Sequence, residues 1–539
     1  LISLYFKTLA SLFFTDSILV GVVICVALLI HSRIKSTVAF LGFFCAFIIS
    51  KIVGFDLQLL TANLAGTNFI FWGIAMGSFF IIPNIHSYLL VAGLTPVLFL
   101  LYASFERIIA GTGLSSYTLS FSILSILLIY IFIHRTFNKF FVFPAIQYYN
   151  PEKTVYKSTN FLQRFKNDLP FKMKLPFLGE WTVSQGYNGE ITHLDEWGKA
   201  LDFVITDEKN NTYAFPGTKK EDYYCYNKPV LAPADGYVYQ ISNITKDNEI
   251  NDVNTNKNWG NTIILNHLNG LYTQISHLKQ DSFKVQVGDY VTKGTVLASC
   301  GNSGRSPEPH LHFQVQLTPE IGAKTHPYPF GYYFEKTDEK PILRIGEVPP
   351  ENATIYNVNS LDLIHDAFHF KPGKELNVNY NGEKTSWKVA TNAYNQTYIF
   401  CEKTKSTAYF VNDGTMFYFT DFEGEKNSAL YTFYRSCFRL LLAGEKSIEV
   451  KDIIPLSKEL PLSIKWIQDF LAPIVLFCQV NFTSKLHHAD NLFYPENVEF
   501  LNQVKVKSFW KKKPITEYNV AVSESKIEIK SKNQSLCIE

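Results

Sequence analysis

This 539-residue sequence lacks paired cysteines and a large positive net charge. Many metal-binding modules depend on the first feature and many nucleic-acid-binding modules on the second. The eight cysteines are scattered and never form a C-x-x-C pair, so the sequence gives no sign of a cysteine-based zinc site. A Cys401–Cys437 disulfide would still be compatible with an oxidising compartment. The formal net charge is only +2, so no nucleic-acid partner is expected.

Charged residues are scarce in the first quarter of the chain. Residues 1–143 hold ten of the 98 charged side chains, and none lies between Leu57 and Phe105. This composition predicts an α-helical, multi-pass membrane region over 1–143 that contacts lipid in the cytoplasmic membrane. Apolar runs that could form its helices lie at about 17–31, 37–54, 69–83, 85–104 and 116–133.

Prolines interrupt two of these apolar runs, at Pro83 and Pro96. Short or broken membrane helices are typical of transporters, in which exposed backbone lines a substrate path. A simple multi-span anchor would have the same composition, and the residues alone leave both interpretations open. Such a region could also pair two copies of the chain. The sequence begins at Leu1 rather than Met, which is compatible with a fragment or a processed product.

Beyond the membrane region the sequence predicts a multidomain chain of about three domains. Residues 144–175 are rich in proline and lysine and indicate a linker. Short β-like runs separated by Gly, Asn and Asp predict an antiparallel β domain over 176–335, with long loops at 206–228 and 243–259. Residues 341–539 predict a mostly β C-terminal domain of unknown role, with helical stretches at 428–443 and 461–479.

The stretch GNSGRSPEPHLHFQV, residues 301–315, contains two histidines one residue apart. Apolar and polar residues alternate after the turn, which predicts a strand. Side chains two apart on a strand share a face, so His310 and His312 should point into the same cleft. Both could bind one metal, one could bind while the other catalyses, or the two could be unrelated surface histidines.

Three further residues of this β domain could join the pair. His193 precedes Asp202, and a carboxylate that enters the apolar strand ALDFV needs a partner. His277 is expected at the end of another strand. Histidine and carboxylate ligands suit zinc, and a catalytic zinc site needs three of them. His193, Asp202 and one histidine of the pair would suffice, which leaves the other histidine and His277 for proton transfer or charge stabilisation.

The remaining histidines are interpreted as unrelated to this site. His267 precedes an Asn-Gly turn without a companion and is expected at the surface. His365 and His369 have helical spacing, but no acidic partner or third ligand is evident. The adjacent His487 and His488 diverge on any regular element and are also expected at the surface.

The order His193, Asp202, His277 and His310-Leu-His312 resembles the LytM/lysostaphin-type zinc endopeptidases. The flanking stretches QGYNG, THLDEWGKALDF, LAPADGYV, GNTIILNH and VGDYVTKGTVLASCGNSG resemble that family too. The resemblance covers about 150 residues and implies one zinc per chain, bound by His193, Asp202 and His312. It further implies that His277 and His310 are catalytic, in a β-sheet groove that cleaves peptide cross-bridges of peptidoglycan.

A second resemblance concerns the membrane region. GTNFIFWGIAMGSFF (66–80) resembles the glycine-rich stretch of urea transporters, and GLSSYTLSF (113–121) resembles their filter motif through Leu114, Thr118 and Phe121. Ser115 and Ser120 stand where that family has prolines, and Ser11 where it has glutamine. The resemblance covers about 130 residues, one of the two inverted repeats that a urea pore needs, so a single chain is expected to conduct urea poorly.

These observations predict a membrane-tethered zinc metalloendopeptidase that acts on peptidoglycan peptide, with its soluble part outside the cytoplasmic membrane. A urea channel with an accessory soluble domain and a non-catalytic cell-wall-binding regulator are the alternatives. The substrate favours the outside location, whereas the flanking positive charges are nearly balanced. With five spans, four of these charges lie on the peptidase side (Arg33, Lys35, Arg135 and Lys139) and three on the other (Lys7, Lys51 and Arg107).

Overall fold

A computed structural model describes residues 1–539 except 62–63, 113–115, 136–139, 145–146, 148, 457–461, 492–493, 509–514 and 525. Leu114, Ser115 and Lys139 therefore lie outside the described residues. The chain divides into two compact units. The helical unit consists of Leu1–Arg164, Asp452–Phe482 and Val504–Thr516, and the β unit consists of Phe165–Lys451, Thr483–Gln503 and Glu517–Glu539.

The described helices lie mostly in the first third of the chain, as predicted. They are α1 (Ile2–Ser11), α2 (Ile18–His31), α3 (Arg33–Val53), α4 (Ala65–Ile74), α5 (Ile85–Ile109), α6 (Leu119–Ile133), α7 (Pro151–Phe165), α8 (Asp362–Ala367), α9 (Ala429–Ser436) and α10 (Leu462–Leu471).

Two of these helices, α3 and α5, are long and apolar enough to cross a membrane, and α2 and α6 are shorter apolar helices. The apolar run at 69–83 is divided between α4 and a π-helical turn at Ala75–Phe79. Pro96 lies inside α5.

Helices α3 and α4 touch through two glycines. A Cβ on Gly42 would come within 2.2 Å of the carbonyl oxygen of Phe69, and a Cβ on Gly73 within 2.0 Å of that of Val38. Only glycine allows backbones to approach this closely, which is how small residues drive helix packing in an apolar solvent.

Polar residues join the two motif segments of the helical unit. Asn68, fully buried in α4, donates a hydrogen bond from Nδ2 to the carbonyl of Tyr117 and accepts one at Oδ1 from the backbone N–H of Phe121 at 3.4 Å. Thr118 is the N-cap residue of α6, and Ser120 is buried. The stretch 66–80 therefore contacts the stretch that contains Thr118 and Phe121.

A second polar cluster ties α7 to the start of α3. The carboxylate of Glu152, 1% exposed, accepts hydrogen bonds from Oγ of Ser32 at 2.8 Å and from the backbone N–H of Ile34 at 2.9 Å. Arg33 donates to Oδ2 of Asp469 in α10 at 2.5 Å, and Tyr156 donates to Oδ1 of the same carboxylate at 2.6 Å. A packed helix thus occupies part of the segment predicted as a linker.

The first part of the β unit is built from short strands. They are β1 (Trp181–Gln185), β2 (Ala200–Val204), β3 (Pro229–Leu231), β4 (Gly236–Ser242), β5 (Asn261–Asn266), β6 (Tyr272–Leu278), β7 (Tyr290–Val291), β8 (Val296–Ser299), β9 (Leu311–Gln316), β10 (Phe330–Glu335), β11 (Ile342–Glu347) and β12 (Thr354–Asn357).

Ten of these strands form an antiparallel sheet in the order β11-β10-β12-β1-β2-β9-β6-β5-β4-β7, and β3 pairs with β8. The prediction of an antiparallel β domain is confirmed. Strands β2 and β9 lie next to each other, and every residue of both is buried. One face contributes Phe203, Leu311 and Phe313 to the core, so the opposite face is left for polar side chains.

The C-terminal region is mostly β, as predicted. Its strands are β13 (Glu375–Tyr380), β14 (Glu383–Thr391), β15 (Thr397–Cys401), β16 (Ser406–Asn412), β17 (Met416–Glu423), β18 (Arg439–Leu441), β19 (Glu449–Ile454), β20 (Cys478–Ala489), β21 (Asn497–Ser508), β22 (Thr516–Ser523), β23 (Lys526–Ser531) and β24 (Gln534–Ile538). They form a sheet in the order β18-β17-β16-β15-β14-β13-β24-β23-β22-β21-β20-β19. Cys401 and Cys437 are both free, so no disulfide joins them.

Candidate metal centre

The register of two neighbouring strands brings a carboxylate and an imidazole together. Asp202 of β2 and His312 of β9 are directly opposite each other, and Gln185 of β1 is opposite Asp202 on the other side. Cross-strand partners on one face have Cβ atoms about 5 Å apart. The polar face of the sheet therefore concentrates Gln185, Asp202 and His312 in one row.

Asp202 lies at the centre of this row and is 6% exposed. Its Oδ1 is 2.9 Å from Nδ1 of His312, and its Oδ2 is 3.2 Å from Nε2 of His193. Oδ2 also accepts a hydrogen bond from Nε2 of Gln185 at 3.0 Å and is 4.0 Å from Nε2 of His310. Three of these side chains, His193, Asp202 and His312, place one ligand atom each within 4.8 Å of the others.

The hydrogen bonds of His193 direct an unprotonated nitrogen toward Asp202. Its ring is 1% exposed, and Nδ1 donates to the carbonyl oxygen of Gly186 at 2.9 Å. In a neutral imidazole this leaves Nε2 as an acceptor. Nε2 makes no hydrogen bond with any residue that the structure describes. A buried acceptor without a donor is costly, so this atom fits a role as a metal ligand.

The side-chain amides of Gln314 and Gln316 fix the tautomer of His312, so that its unprotonated nitrogen also faces Asp202. The Nε2 atom of Gln314 donates to Oε1 of Gln316 at 2.8 Å and to the carbonyl of Ala323 at 3.1 Å, so its Oε1 is an acceptor. Nε2 of His312, 3.0 Å from that Oε1, must therefore donate to it. Nδ1 of neutral His312 is then the acceptor that faces Asp202.

When both imidazoles are neutral, three acceptors converge in this row: Nε2 of His193, a carboxylate oxygen of Asp202 and Nδ1 of His312. Although burial alone would lower it, the pKa of His193 is raised by the Asp202 carboxylate, so a proton is favoured at this position when no cation occupies it. Acceptors at 2.9 and 3.2 Å repel one another unless a proton or a cation lies between them. Although burial alone would raise it, the pKa of Asp202 is held well below its usual range by the neighbouring imidazoles, His310 above all. An ionised carboxylate with two imidazole nitrogens is the donor set that zinc prefers, and the residues fit that ion.

Two further imidazoles border the triad. Nδ1 of His277 donates to the carbonyl of Ser303 at 2.8 Å, and Nδ1 of His310 donates to that of Glu308 at 2.9 Å. In the neutral rings both Nε2 atoms are therefore acceptors. The ring centroids are 4.7 Å apart. Burial, and then the neighbouring His310 and His312, lower the pKa of His277 well below its usual value, which favours the neutral form.

All five residues predicted for the site, His193, Asp202, His277, His310 and His312, therefore lie close together. His277 is at the end of β6, as expected, with a left-handed φ of 60°. Its backbone N–H donates to the carbonyl of Trp259 at 3.2 Å. Left-handed conformations of residues other than glycine cluster at functional sites.

Sequence reasoning missed Gln185, Gln314 and Trp259. The spacing of two residues from His312 to Gln314 was a usable signal, since both lie on one face of the strand. Trp259 ends a predicted loop, yet its ring centroid is 5.1 Å from that of His312. No local pattern indicates that contact, because it depends on how the loop folds over the sheet.

The prediction for His267 was wrong. It is 6% exposed, its Nδ1 is 2.7 Å from the carbonyl oxygen of Asp235, and its Nε2 is 3.0 Å from Oγ1 of Thr273. The side chain also packs against Phe171, with ring centroids 5.2 Å apart. Distant segments bury it, which an Asn-Gly turn alone does not reveal.

His365 has an acidic neighbour that the sequence did not indicate, whereas His487 and His488 lie at the surface as expected. The rings of His365 and His369 are 5.3 Å apart, and His365 contacts Asp366. Among the described residues only the triad of His193, Asp202 and His312 groups three ligands suitable for a metal. His487 and His488 are exposed.

Comparisons with known proteins identify two regions of the chain. Residues 221–324 match the family model of peptidase family M23, and residues 1–132 match that of the urea transporters. The chain thus combines an M23 peptidase region with a urea-transporter region. The M23 match includes His277, His310 and His312, whereas His193 and Asp202 precede it, so their link to the site rests on the geometry above.

Individual relatives match shorter parts. The cell division protein DipM of Caulobacter vibrioides is 30% identical over 99 residues, which cover 18% of this chain and 14% of DipM. The catalytic domain of lysostaphin from Staphylococcus simulans is 21% identical, covers 28% of this chain and 89% of that domain, and gives a TM-score of 0.19. A mutant catalytic domain of the prophage-encoded M23 protein EnpA from Enterococcus faecalis is 16% identical, with coverages of 28% and 94% and a TM-score of 0.20.

Proposed function

We propose that this chain is a membrane-tethered zinc metalloendopeptidase that hydrolyses peptide cross-bridges of peptidoglycan. The convergence of three buried potential ligands, His193, Asp202 and His312, beside two further imidazoles carries this proposal. These three residues would hold one zinc ion per chain. The match to peptidase family M23 supports a peptidase, and the resemblance to LytM/lysostaphin-type endopeptidases supports the choice of substrate.

The roles of the residues follow from their tautomers. When bound, zinc supplies Lewis-acid chemistry, activating a water molecule and polarising the carbonyl of the scissile peptide bond. The Nε2 atoms of His277 and His310 are acceptors, so either ring can take the proton of the attacking water. The other ring, once protonated, donates to the developing oxyanion or to the leaving amine. The carbonyls of Ser303 and Glu308 hold both rings in the required orientation.

Four regions of the chain would divide these tasks. Residues 1–143 form the membrane region, 144–175 connect it to the peptidase domain at 176–335, and 341–539 form the C-terminal domain. Peptidoglycan lies outside the cytoplasmic membrane, so the peptidase domain would be extracytoplasmic. Protease access to residues beyond 160 in spheroplasts tests this location, and complete protection would contradict it.

Two measurements on the full chain in detergent test the catalytic roles together. They are its metal content and its cleavage of isolated peptidoglycan. His312→Ala and Asp202→Ala should lose both zinc and cleavage, because a catalytic zinc site needs three protein ligands. His277→Ala and His310→Ala should keep zinc and lose about 100- to 10,000-fold in rate, the usual contribution of general acid–base catalysis. Zinc loss on His310→Ala with retention on His312→Ala would reverse the assignment within the pair. If all four variants cleaved peptidoglycan at the wild-type rate, the proposed metalloendopeptidase activity would be contradicted.

Two other functions predict different experimental results. A cell-wall-binding regulator would bind peptidoglycan without releasing peptides. The match of residues 1–132 to urea transporters favours urea as a second ligand, and urea flux into proteoliposomes tests it. A single repeat should conduct poorly, and rapid flux would indicate that two copies pair.

A further inference from the structure

The segment around α10 has its polarity reversed. Between residues 466 and 475 the polar side chains are Gln468 and Asp469, and both are fully buried. Ser463 and Lys465, nearer the start of α10, are exposed and half-buried. Asp469 is the only charged residue between positions 466 and 477. The outer surface of the segment carries six large apolar side chains, Trp466 (37% exposed), Ile467 (57%), Phe470 (36%), Leu471 (39%), Ile474 (55%) and Val475 (50%).

Hydrogen bonds explain why the polar residues point inward. Oε1 of Gln468 accepts from the backbone N–H groups of Phe477 and Cys478, at 3.0 and 3.1 Å. Its Nε2 donates to the carbonyl of Val475 at 2.9 Å. Gln468 thus folds the segment 472–477 back onto α10, and Asp469 binds Arg33 and Tyr156. The apolar face is therefore held outward by fixed contacts.

A polar interior with an apolar exterior is unfavourable in water. Soluble monomers seldom expose a contiguous apolar patch of this kind without a partner. In a bilayer the same arrangement is favourable, because buried polar groups pair with one another and apolar side chains contact lipid tails.

The neighbours of α10 in the helical unit indicate that it lies at the boundary between lipid headgroups and hydrocarbon. The guanidinium of Arg33 lies 5.0 Å from the ring of Trp466, and its NH1 group donates to the carbonyl of Ile30 at 3.0 Å. Arg33 is the first residue of α3, which is long enough to span a membrane, and Ile30 is an exposed apolar residue of α2. Trp and Arg are typical of the boundary between headgroups and hydrocarbon.

Helix α10 is too short to span the membrane. Ten residues of helix are about 15 Å long, whereas the hydrocarbon core is about 30 Å thick. The helix can therefore lie along one leaflet without crossing it.

We propose that residues 466–475 form an interfacial membrane element whose apolar face is inserted into the headgroup–hydrocarbon boundary of one leaflet. This rests on the proposed membrane insertion of residues 1–143. Arg33 contacts both the ring of Trp466 and the carbonyl of Ile30, so α10 lies beside the end of α2 and the start of α3, where it can meet the same lipid surface. The chain would then contact lipid on both sides of its peptidase region in the sequence.

Photocrosslinking of the full chain distinguishes lipid from other occupants. The photoreactive residue p-benzoylphenylalanine replaces Ile467, and the protein is reconstituted into vesicles of phosphatidylethanolamine and phosphatidylglycerol. Matched probes replace Ile126 of α6 (67% exposed) and Tyr394 of the β14–β15 turn (82% exposed). The probe at 467 should yield about tenfold more lipid adduct than the probe at 394, because hydrocarbon surrounds the first and water the second. Mass spectrometry of the adducts measures this.

The outcomes distinguish the membrane insertion of residues 1–143 from the interfacial position of α10. Lipid adducts at both 126 and 467 support an interfacial α10. Adducts at 126 without adducts at 467 overturn it while the membrane region stands, and a covalent dimer through 467 identifies a second copy as the occupant instead. An absence of lipid adducts at 126 removes the membrane insertion itself, and the inference falls with it.

Discussion

Two buried carboxylates, one in each unit, show how the same residue type can serve different purposes. Asp469 of the helical unit accepts hydrogen bonds from a guanidinium and a phenol, so its neighbours supply all the positive charge and protons around it. Asp202 of the β unit faces two imidazoles whose N–H groups point elsewhere, to Gly186 and Gln314. Both oxygens of Asp469 thus have donors in the fold, whereas the Asp202 cluster has the ligand atoms that would suit a cation.

The largest contrast is expected when each carboxylate is replaced by its neutral isostere. Asp202→Asn should reduce zinc from one ion per chain to nearly none, because the anionic ligand of the triad is lost. Asp469→Asn should leave zinc content unchanged, since its neighbours are donors. Metal analysis of the purified variants measures both. Equal zinc in the wild type and Asp202→Asn would remove the distinction between the two clusters.

The second contrast concerns the stability of the helical unit. Asp469→Asn should lower it by about 3 kcal/mol, because Arg33 keeps a buried charge without its closest counter-ion. The value lies at the low end for such changes because Glu152 remains 3.9 Å from Arg33. Thermal unfolding in detergent, followed by helical circular dichroism, measures the change. Tyr156→Phe removes one donor only and is expected to cost about 1 kcal/mol. An unchanged transition for Asp469→Asn would show that the pair contributes no stability.

The smallest expected effect concerns the metal affinity of the Asp202 cluster after substitution of Gln314. Gln314→Met keeps the volume of the side chain but removes the acceptor that fixes the tautomer of His312. Loss of such an outer partner typically weakens metal affinity by about 10- to 100-fold. Competition with a chromophoric chelator measures this without any substrate. Gln316→Met, one step further from the histidine, is the matched control with a smaller expected loss, and equal affinities of wild type and Gln314→Met would contradict the role of the amide row.

The strand period predicted much of the β site. Alternation after residue 309 placed His310 and His312 on one face, and the apolar surroundings of Asp202 indicated that it needed a partner. The same period could have included Gln314 and Gln316. The strand pairing that sets Asp202 opposite His312 lies beyond any local pattern, because it joins residues 110 positions apart.

The helical unit was less predictable for a physical reason. Composition indicates apolar helices, but it does not show which segments pack against them. Glu152 stands in a stretch that is rich in lysine and proline, so its burial against Ser32 could not be expected. Asp469 lies in a segment assigned by sequence to the C-terminal domain, yet its partners are residues of α3 and α7.

The separation between Asp202 and His312 also has a consequence for biosynthesis. At about 5–20 residues per second, a ribosome that has completed Asp202 needs about 5–20 s to reach His312. During that interval the nascent chain has only two residues of the triad and lacks both histidines of the pair. The proposed metal site can therefore form only after His312 has been synthesised.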